Sequence, residues 1–599
     1  MLTLRRLYAL LALGVHAVAL GAQPQASYVV RVDSAHPEAI AVEMRITGAV
    51  DAVRLAMMVH PEYDAKYWRN LEALTVDGTR DDRAARVDRL DSTLWRVTLP
   101  GGSGRVRYTL RVPRDAAGDR NAWRVFVRPT GALLNPPDIF LYLPDAVASP
   151  ATVKLEVPSS WRVATALATA GRGTWRARDA ATLLDSPILL GALRSWDFRE
   201  GDATFHVHYW PLPDATPFDT AAFVRVLRRL THETTALFGG GPARDFHFLL
   251  QDGANDALEH AASVTIGVPS AALAADSLTH AQEIAHEFFH SWNLVAIHPR
   301  EYDGPRFVPP ERTSGLWLGE GVTMYYADAL RRRAALTDPL SRADRVAAWL
   351  RSYLGSAWAG IVSPEQASLA FGDSPVDNAF ATGGYYVQGQ LLAVALDALV
   401  RDSTRDARGL DDVLRALYAR RGGAGYTSAS VEGVADTVCG CRLAAFFTEH
   451  VRGPTLIDLR PAFARLGLDL LIDTVAAVDE RGAPQPDLRV GVDFGRTAPP
   501  VVLVVSNPAS AWSRAGLRTG DTLTYFNGAA IASPLAFVQK LRSLHVGDSV
   551  SVFMQRARIG PALVQFRLGG YDAPRVRIVE QPGATAVQKA RRERWLAGW

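Results

Sequence analysis

Alternating hydrophobic and polar positions dominate the first third of the chain, from Ser27 to about Leu190. Stretches such as 28–32 and 106–112 carry β-branched or aromatic residues at nearly every second position, and clusters of glycine, proline and serine separate them. A period of two between turn residues is typical of half-buried strands. The pattern therefore predicts an N-terminal all-β domain.

The pattern changes between about Phe218 and Val451, where apolar residues recur three and four positions apart. This spacing places them on one face of a helix. Glycines at 239–241 break the first of these stretches. We predict a mostly helical region with helices over 221–238, 278–294, 322–334, 341–354, 389–400 and 410–419.

Short alternating stretches return near Leu468 and continue to about Leu568, with one central helix predicted over 534–544. The final residues include Arg591, Arg592 and Arg594, and this charged end predicts a frayed helical tail.

The first residues have the three parts of a secretory signal peptide. Arg5 and Arg6 precede an uncharged apolar run over 7–20, and the small residues Gly21 and Ala22 follow it. The run is shorter than the ~20 residues that span a bilayer, which favours a cleaved leader over a membrane anchor. We predict cleavage after Ala22 and a periplasmic or secreted protein without a transmembrane anchor.

Length and composition narrow the possibilities further. A chain of 599 residues usually forms about three to five domains. Lys+Arg 65 against Asp+Glu 62 leaves a net charge of +3, which argues against a nucleic-acid coat. Cys439 and Cys441 are the only cysteines, and they could form either a very small disulfide ring or two buried thiols. Two cysteines cannot build a cysteine zinc cluster, so any metal must be bound by His, Asp or Glu.

His286-Glu287-Phe288-Phe289-His290 is an H-E-x-x-H motif inside a predicted helix. Residues four apart on a helix share a face, so the two imidazoles can bind one zinc ion. The glutamate beside the first histidine then lies next to a metal-bound water and can take its proton. Because Phe288, Phe289 and Trp292 indicate burial, two unliganded histidines here would be costly.

A catalytic zinc needs a third protein ligand. Glu320 follows His290 by thirty positions, behind a loop rich in proline, and precedes the predicted helix 322–334. A carboxylate at a helix start is often only solvated, but behind this motif we predict that it binds the metal.

These residues resemble the glycyl aminopeptidase family of gluzincin zinc metallopeptidases. The resemblance rests on His-Glu-Phe-Phe-His-Ser-Trp-Asn at 286–293 and on Leu-Trp-Leu-Gly-Glu-Gly-Val-Thr-Met-Tyr-Tyr at 316–326. Three further stretches fit the family in order and distance: Asp-Ser-Pro at 185–187, Ala-Leu-Glu-His at 257–260, and Tyr-Tyr-Val-Gln-Gly at 385–389.

The resemblance implies a role for each matched residue. His286, His290 and Glu320 would bind one Zn²⁺ per chain, with Glu287 as general base. Tyr386, or alternatively Tyr385, would donate a hydrogen bond to the oxyanion. Glu259 would pair with the α-amino group of a peptide, and His260 would also contact substrate.

Two departures from the family pattern concern the substrate. Asp256 and Ala257 stand where the family has a glycine pair, and Leu-Val-Ala at 294–296 replaces basic residues. The zinc and base positions are intact, so the departures leave the preferred substrate open.

The segment 501–528 resembles a PDZ domain. It has a strand, an Ala-Gly-Leu helical turn at 515–517, a Gly-Asp turn and an Asn-Gly hairpin turn at 527–528. The helix 534–544 would form one wall of a groove that binds a peptide C-terminus or strand. The segment 489–494 is the candidate carboxylate-binding loop, although its sequence departs from the usual one.

The predicted fold class is thus a multidomain α+β protein with an N-terminal all-β domain, a thermolysin-like, mostly helical zinc peptidase domain and a C-terminal PDZ-like domain. The predicted boundaries are 1–22 signal peptide, 23–195 β-sandwich-like domain, 196–335 catalytic domain, 336–465 helical part, 466–570 PDZ-like domain and 571–599 tail. The predicted activity is removal of N-terminal glycine or alanine from peptides. Alternatives are another zinc hydrolase or endopeptidase on the same scaffold, and a non-catalytic PDZ scaffold that binds peptides.

Overall fold

The protein is described here by a computed structural model covering residues 23–58, 66–77, 79–80, 83–114, 120–303, 312–379, 384–493 and 499–599. The predicted signal peptide lies outside these residues. Within them, three large hydrophobic cores form: one in the N-terminal region, one in the central catalytic region and one in a C-terminal module. A multidomain α+β architecture is confirmed.

The N-terminal region consists mainly of three antiparallel or mixed sheets around one core. Two short helices, Pro136–Ile139 and Ala180–Leu184, make it β-rich rather than all-β. The first sheet has seven strands, in spatial order Ala168–Gly171, Thr174–Ala177, Ala151–Glu156, Gln25–Val32, Ala39–Thr47, Gly104–Arg111 and Leu71–Asp77. The second has four strands, Phe126–Arg128, Gly131–Leu134, Ile188–Gly191 and Arg162–Ala164, and the third also has four, Leu141–Tyr142, Ala52–Met57, Leu94–Thr98 and Arg86–Arg89. A separate small hairpin pairs Thr79–Arg80 with Arg83–Ala84.

A five-stranded mixed sheet opens the central region. Its spatial order is Arg194–Glu200, Ala203–Trp210, Asp245–Gln251, Ser263–Gly267 and Ala257–Glu259, which is the edge strand. The prediction of a mostly helical region from about Phe218 did not include the strands at 245–267. Strands Asp245–Gln251 and Ser263–Gly267 do begin with alternating polar and apolar residues, Asp-Phe-His-Phe and Ser-Val-Thr-Ile, but each run is only four residues long, a weak signal between longer helical stretches.

Helices form most of the rest of this region and share one core with the sheet. They are Thr220–Phe238, Ser270–Ala275, Ala281–His290, Thr323–Arg333, Ser341–Gly355, Pro364–Leu369, Gly384–Ser403, Leu410–Tyr418, Ser428–Cys439, Ala444–Phe446 and Arg460–Ala464, with π-helical turns at Trp317–Val322 and Phe447–Arg452 and a 3₁₀ turn at Arg300–Tyr302. The 3₁₀ turns at Tyr67–Arg69 and Pro144–Ala146 belong to the N-terminal region. Cys439 and Cys441 form a disulfide at the end of one helix.

The N-terminal region packs against the outer face of the five-stranded sheet. A small apolar cluster that includes Phe126, Leu189 and Trp210 joins the two. On the same face lies a histidine cluster formed by His206, His208 and His247, with the His206 and His247 rings stacked 4.7 Å apart. Burial, with His206 nearby, lowers the pKa of His208 to about 4, and burial with both neighbouring histidines lowers the pKa of His247 to about 3.

The C-terminal module has its own sheet and core. Its strands are Gly491–Val492, Val501–Val504, Thr522–Phe526, Ser549–Arg556 and Gly560–Arg567, with Ala529–Ala530 paired to the third. The helices Ala511–Arg514 and Pro534–Arg542 cover its core.

The tail is not frayed, contrary to prediction. Strand Asp572–Glu580 pairs with Leu468–Ala476 along its whole length, forming a ribbon that packs on helix Ser341–Gly355. The final helix, Ala586–Leu596, buries Trp595 beside Phe463 at a ring separation of 5.7 Å. An apolar anchor within a strongly charged helix thus holds the end of the chain. Across the described residues, every helix is too short or too polar to cross a membrane.

Candidate metal centre and active site

The helix Ala281–His290, called the motif helix below, carries the H-E-x-x-H residues. Its apolar positions pack into the central core, where Phe288 contacts Phe205, Phe246 and Phe248 at ring separations of 5.1 to 5.7 Å. This packing fixes the helix rotation, so His286 and His290 project together from the opposite face.

Three side chains converge on one point. The Nε2 atoms of His286 and His290 lie 2.9 Å apart, and Oε2 of Glu320 lies 3.3 Å from each of them. Around a tetrahedral zinc ion with bonds of about 2.0 Å, ligand atoms are separated by about 3.3 Å, so the spacing fits a shared ion. Oε2 of Glu320 is buried without a hydrogen-bond donor, as expected of an atom reserved for a metal. The residues therefore fit zinc.

The second nitrogen of His290 supports the same interpretation. Its Nδ1 lies 2.9 Å from the backbone carbonyl of Asn293, so that nitrogen donates and Nε2 keeps its lone pair for a metal. His286 is similarly buried, and burial together with His290 lowers its pKa, which favours the neutral, ligating form.

Glu320 lies in the π-helical turn Trp317–Val322, called the ligand turn below. The side-chain amide of Asn293 donates hydrogen bonds to the carbonyl of Leu318 at 2.8 Å and to the hydroxyl of Thr323 at 2.9 Å. Asn293 therefore connects the end of the motif helix to both ends of the ligand turn. Such partners hold metal ligands in position.

A glycine contact supports the ligand turn from the other side. Gly389, in helix Gly384–Ser403, packs directly on Gly321: a Cβ at Gly389 would lie 2.1 Å from the carbonyl oxygen of Trp317 and 2.6 Å from Cα of Gly321. Only glycine fits at such a backbone approach. The same helix carries Tyr385 and Tyr386, so one contact positions Glu320 and both tyrosines.

The two tyrosines occupy different environments. Tyr385 is 2% exposed and packs between Phe371 and Tyr386. Tyr386 is half-buried, with its ring 6.5 Å from that of His286. Only Tyr386 is thus both near a metal ligand and accessible to a substrate.

Two further carboxylates face the centre. Burial raises the pKa of Glu287 well above its usual value, and Glu259 and Glu320 add to this effect while His290 opposes it. Burial likewise raises the pKa of Glu259, with His290 again opposing. A dication among these groups would favour their ionised forms.

Glu259 ends the edge strand Ala257–Glu259, whose outer side pairs with no other strand among the described residues. Asp256, immediately before this strand, has a φ of 58°, in the left-handed region that glycine prefers. The departure from the family's glycine pair therefore leaves a glycine-like backbone bend, because aspartate tolerates this conformation better than most residues.

His260 is connected to the N-terminal region. Its Nδ1 lies 3.2 Å from Oδ1 of Asp185, whose other oxygen accepts a hydrogen bond from the backbone of Ala261 at 2.9 Å. The structure thus brings together two of the matched stretches, 185–187 and 257–260. Nε2 of His260 is buried and has no hydrogen-bond partner among the residues that the structure describes.

The sequence analysis named all of these site residues, but it missed two contacts that support them. The role of Asn293 was missed although its motif was recognised, and the Gly321–Gly389 packing was missed because a glycine within a helix does not reveal its partner. A glycine at the start of a predicted helix, three residues after Tyr386, was the available signal.

Comparison with known proteins agrees with this geometry. A family model described as the Peptidase M61 N-terminal domain matches residues 27–192, and one described as M61 glycyl aminopeptidase matches residues 279–392. No curated protein sequence matches the chain significantly.

Among solved structures, an aminopeptidase N family protein from Idiomarina loihiensis has a TM-score of 0.72 at 19% identity, covering 93% of this chain and 98% of its own. An M1 zinc metallopeptidase from Deinococcus radiodurans has a TM-score of 0.46 at 18% identity, covering 73% and 94%. The first likeness supports the overall fold. The M61 matches and the His-His-Glu group support a zinc aminopeptidase of the M61 type.

Proposed function

We propose that the protein is an exported zinc aminopeptidase that releases small N-terminal residues, such as glycine or alanine, from peptides. The observation that carries this proposal is the convergence of His286, His290 and Glu320 beside the half-buried carboxylates of Glu259 and Glu287. The preference for small residues follows from the description of the matched family, and export follows from the sequence pattern at 1–22.

In this proposal, His286, His290 and Glu320 hold one zinc ion per chain. When bound, zinc polarises a carbonyl group and lowers the pKa of water to about 7. Glu287 accepts the proton of the attacking water and passes it to the leaving amine. Tyr386 donates a hydrogen bond to the oxygen that becomes negative, which stabilises the charge only as it forms.

Glu259 would favour peptides that carry a free α-amino group. It is close enough to His290 and Glu320 for their charges to shift its pKa, so its carboxylate would pair with the α-ammonium group of a peptide bound at the centre. An open edge strand also offers backbone groups to an extended peptide. His260, next along the chain, would contact the same part of the substrate.

Replacing Glu287 with Gln tests the catalytic part of this proposal. We expect kcat on alanyl reporter substrates to fall by about 10²- to 10⁴-fold, because general base catalysis is lost while the shape is kept. Zinc content, measured by atomic absorption, should stay at one ion per chain. The matched control is Glu283→Gln on the same helix, whose carboxylate pairs with His280 at 3.0 Å. Unchanged turnover in E287Q would reject the assigned base.

We also propose that the C-terminal module is a PDZ-like domain. Its sheet, its wall helix Pro534–Arg542 and its separate core support this. Of the candidate loop 489–494, residue 494 lies outside the described residues. Arg489 in that loop is held by the buried Asp487 at 2.8 Å. Capture of a peptide C-terminus or strand by this groove stays a prediction.

A further inference from the structure

A large cleft lies between the N-terminal region and the catalytic region. Its volume is about 750 Å³, within the range of ligand sites and far more than a glycine or alanine side chain needs. It reaches Glu259 and continues along 260–262, whereas none of the three metal-binding residues lines it. The cleft therefore joins the centre at the position proposed for the substrate's amino end.

The acidic groups that line this cleft are already engaged. Asp185 accepts hydrogen bonds from His260 and Ala261, and Glu259 faces the metal centre. Arg178 is also engaged, because it contacts Asp179 at 3.2 Å and the hydroxyl of Thr182 at 3.1 Å.

Arg176 is different. It lies on strand Thr174–Ala177, opposite Ala168 of the neighbouring strand, and both residues line the cleft. Its side chain is exposed and forms no ion pair or hydrogen bond within the described part of the chain. An uncompensated guanidinium in a cleft attracts an anion, most readily a carboxylate.

His260 provides a second, independent observation. It lines the cleft, is 6% exposed and leaves Nε2 unpaired, while Asp185 holds Nδ1. A buried ring nitrogen without a partner is costly unless a ligand supplies one. With Nδ1 as donor, Nε2 is ready to accept a hydrogen bond from an amide N–H of a peptide.

We propose that this cleft binds the part of a peptide that precedes the cleaved bond, with Arg176 selecting a carboxylate there. The protein then also hydrolyses amides whose amino side carries a short anionic extension. The reaction is unchanged: the C–N bond breaks, the water oxygen joins the acyl carbon, and a proton moves to the leaving nitrogen. This inference rests on the proposed function, since it uses the same metal centre.

Three fluorogenic reporters with the same alanyl leaving-group bond test this inference on the zinc-loaded full chain. One has a free α-amino group, one an N-succinyl group and one an N-succinamoyl group, which matches succinyl in size without the charge. We expect the kcat/KM of the succinyl reporter to be about five-fold above that of the succinamoyl reporter, because the succinyl carboxylate gains one exposed ion pair with Arg176.

Arg176→Gln should remove this difference and leave the free alanyl reporter unchanged. The control is Arg172→Gln, an exposed arginine between the same two strands that does not line the cleft. Titrating the inactive E287Q protein with both blocked reporters measures binding without turnover, and tighter binding of the succinyl form should again depend on Arg176.

The possible outcomes separate the two proposals. Hydrolysis of the free reporter alone overturns this inference and leaves the aminopeptidase intact. Equal rates or equal binding for the two blocked reporters overturn the role of Arg176. If no reporter is hydrolysed, the proposed function fails, and the binding titration alone decides whether the cleft selects anions.

Discussion

Gly389→Ala is expected to damage the metal centre without touching a ligand. The added methyl group would lie 2.1 Å from the carbonyl oxygen of Trp317 and 2.6 Å from Cα of Gly321. Both contacts are to backbone, which cannot rotate away as a side chain can. Helix Gly384–Ser403 and the ligand turn must therefore separate, and Glu320 moves with the turn.

The same substitution elsewhere should have the opposite effect. A Cβ at Gly433, inside helix Ser428–Cys439, would meet nothing within 4 Å. Replacing an exposed helical glycine with alanine raises the free energy of unfolding by about 0.5–1 kcal/mol. At Gly389 the same gain is opposed by an overpacking cost of about 1–3 kcal/mol. We therefore expect G433A to be more stable than G389A by about 1–3 kcal/mol.

Urea unfolding followed by tryptophan fluorescence measures this difference, with both variants compared to the unmodified chain. Zinc affinity, measured by competition with a chromophoric chelator, should fall about 10- to 100-fold in G389A, as when outer support of a ligand is lost. It should not change in G433A. If G389A matches G433A in both measurements, the glycine contact does not position Glu320.

Two other predictions follow from contacts of the same kind. Asn293→Ala removes the hydrogen bonds to the ligand turn and should lower zinc affinity about 10- to 100-fold by chelator competition, whereas unchanged affinity would contradict its positioning role. His247 has a pKa of about 3 in the folded state and about 6.5 in the unfolded state. Its contribution to the free energy of unfolding is therefore complete above pH 6.5 and decreases as the pH falls towards 3. His247→Asn should therefore reduce the loss of stability between pH 7 and 4.5 by about 2–3 kcal/mol in urea titrations, and an unaltered pH dependence would contradict the burial argument.

Residues near one another in sequence were predictable. Helical spacing alone places His286 and His290 on one face, whereas Glu320, thirty positions later, was named from the apolar frame around it and from the family resemblance. The half-buried strands of the N-terminal region were also predictable from local sequence, because alternating apolar and polar residues indicate a strand with one buried face.

Other features depend on contacts that periodicity does not encode. Strand Ser263–Gly267 is buried on both faces although Ser263 and Thr265 are polar, so its sequence does not show that it lies inside a sheet. The link between Asp185 and His260 joins residues 75 positions apart. The return of the tail depends on pairing Asp572–Glu580 with a strand about a hundred residues earlier, which no local pattern announces.

That ribbon changes the relation of the C-terminal module to the enzyme. The chain leaves the catalytic region after Ala477 and returns at Tyr571, and these two residues are joined by a backbone hydrogen bond of 2.9 Å. The module is therefore an insertion into a continuous fold, attached through two adjacent strands. Two paired strands resist twisting more than a single linker does, so this attachment restricts how the module can turn relative to the catalytic region.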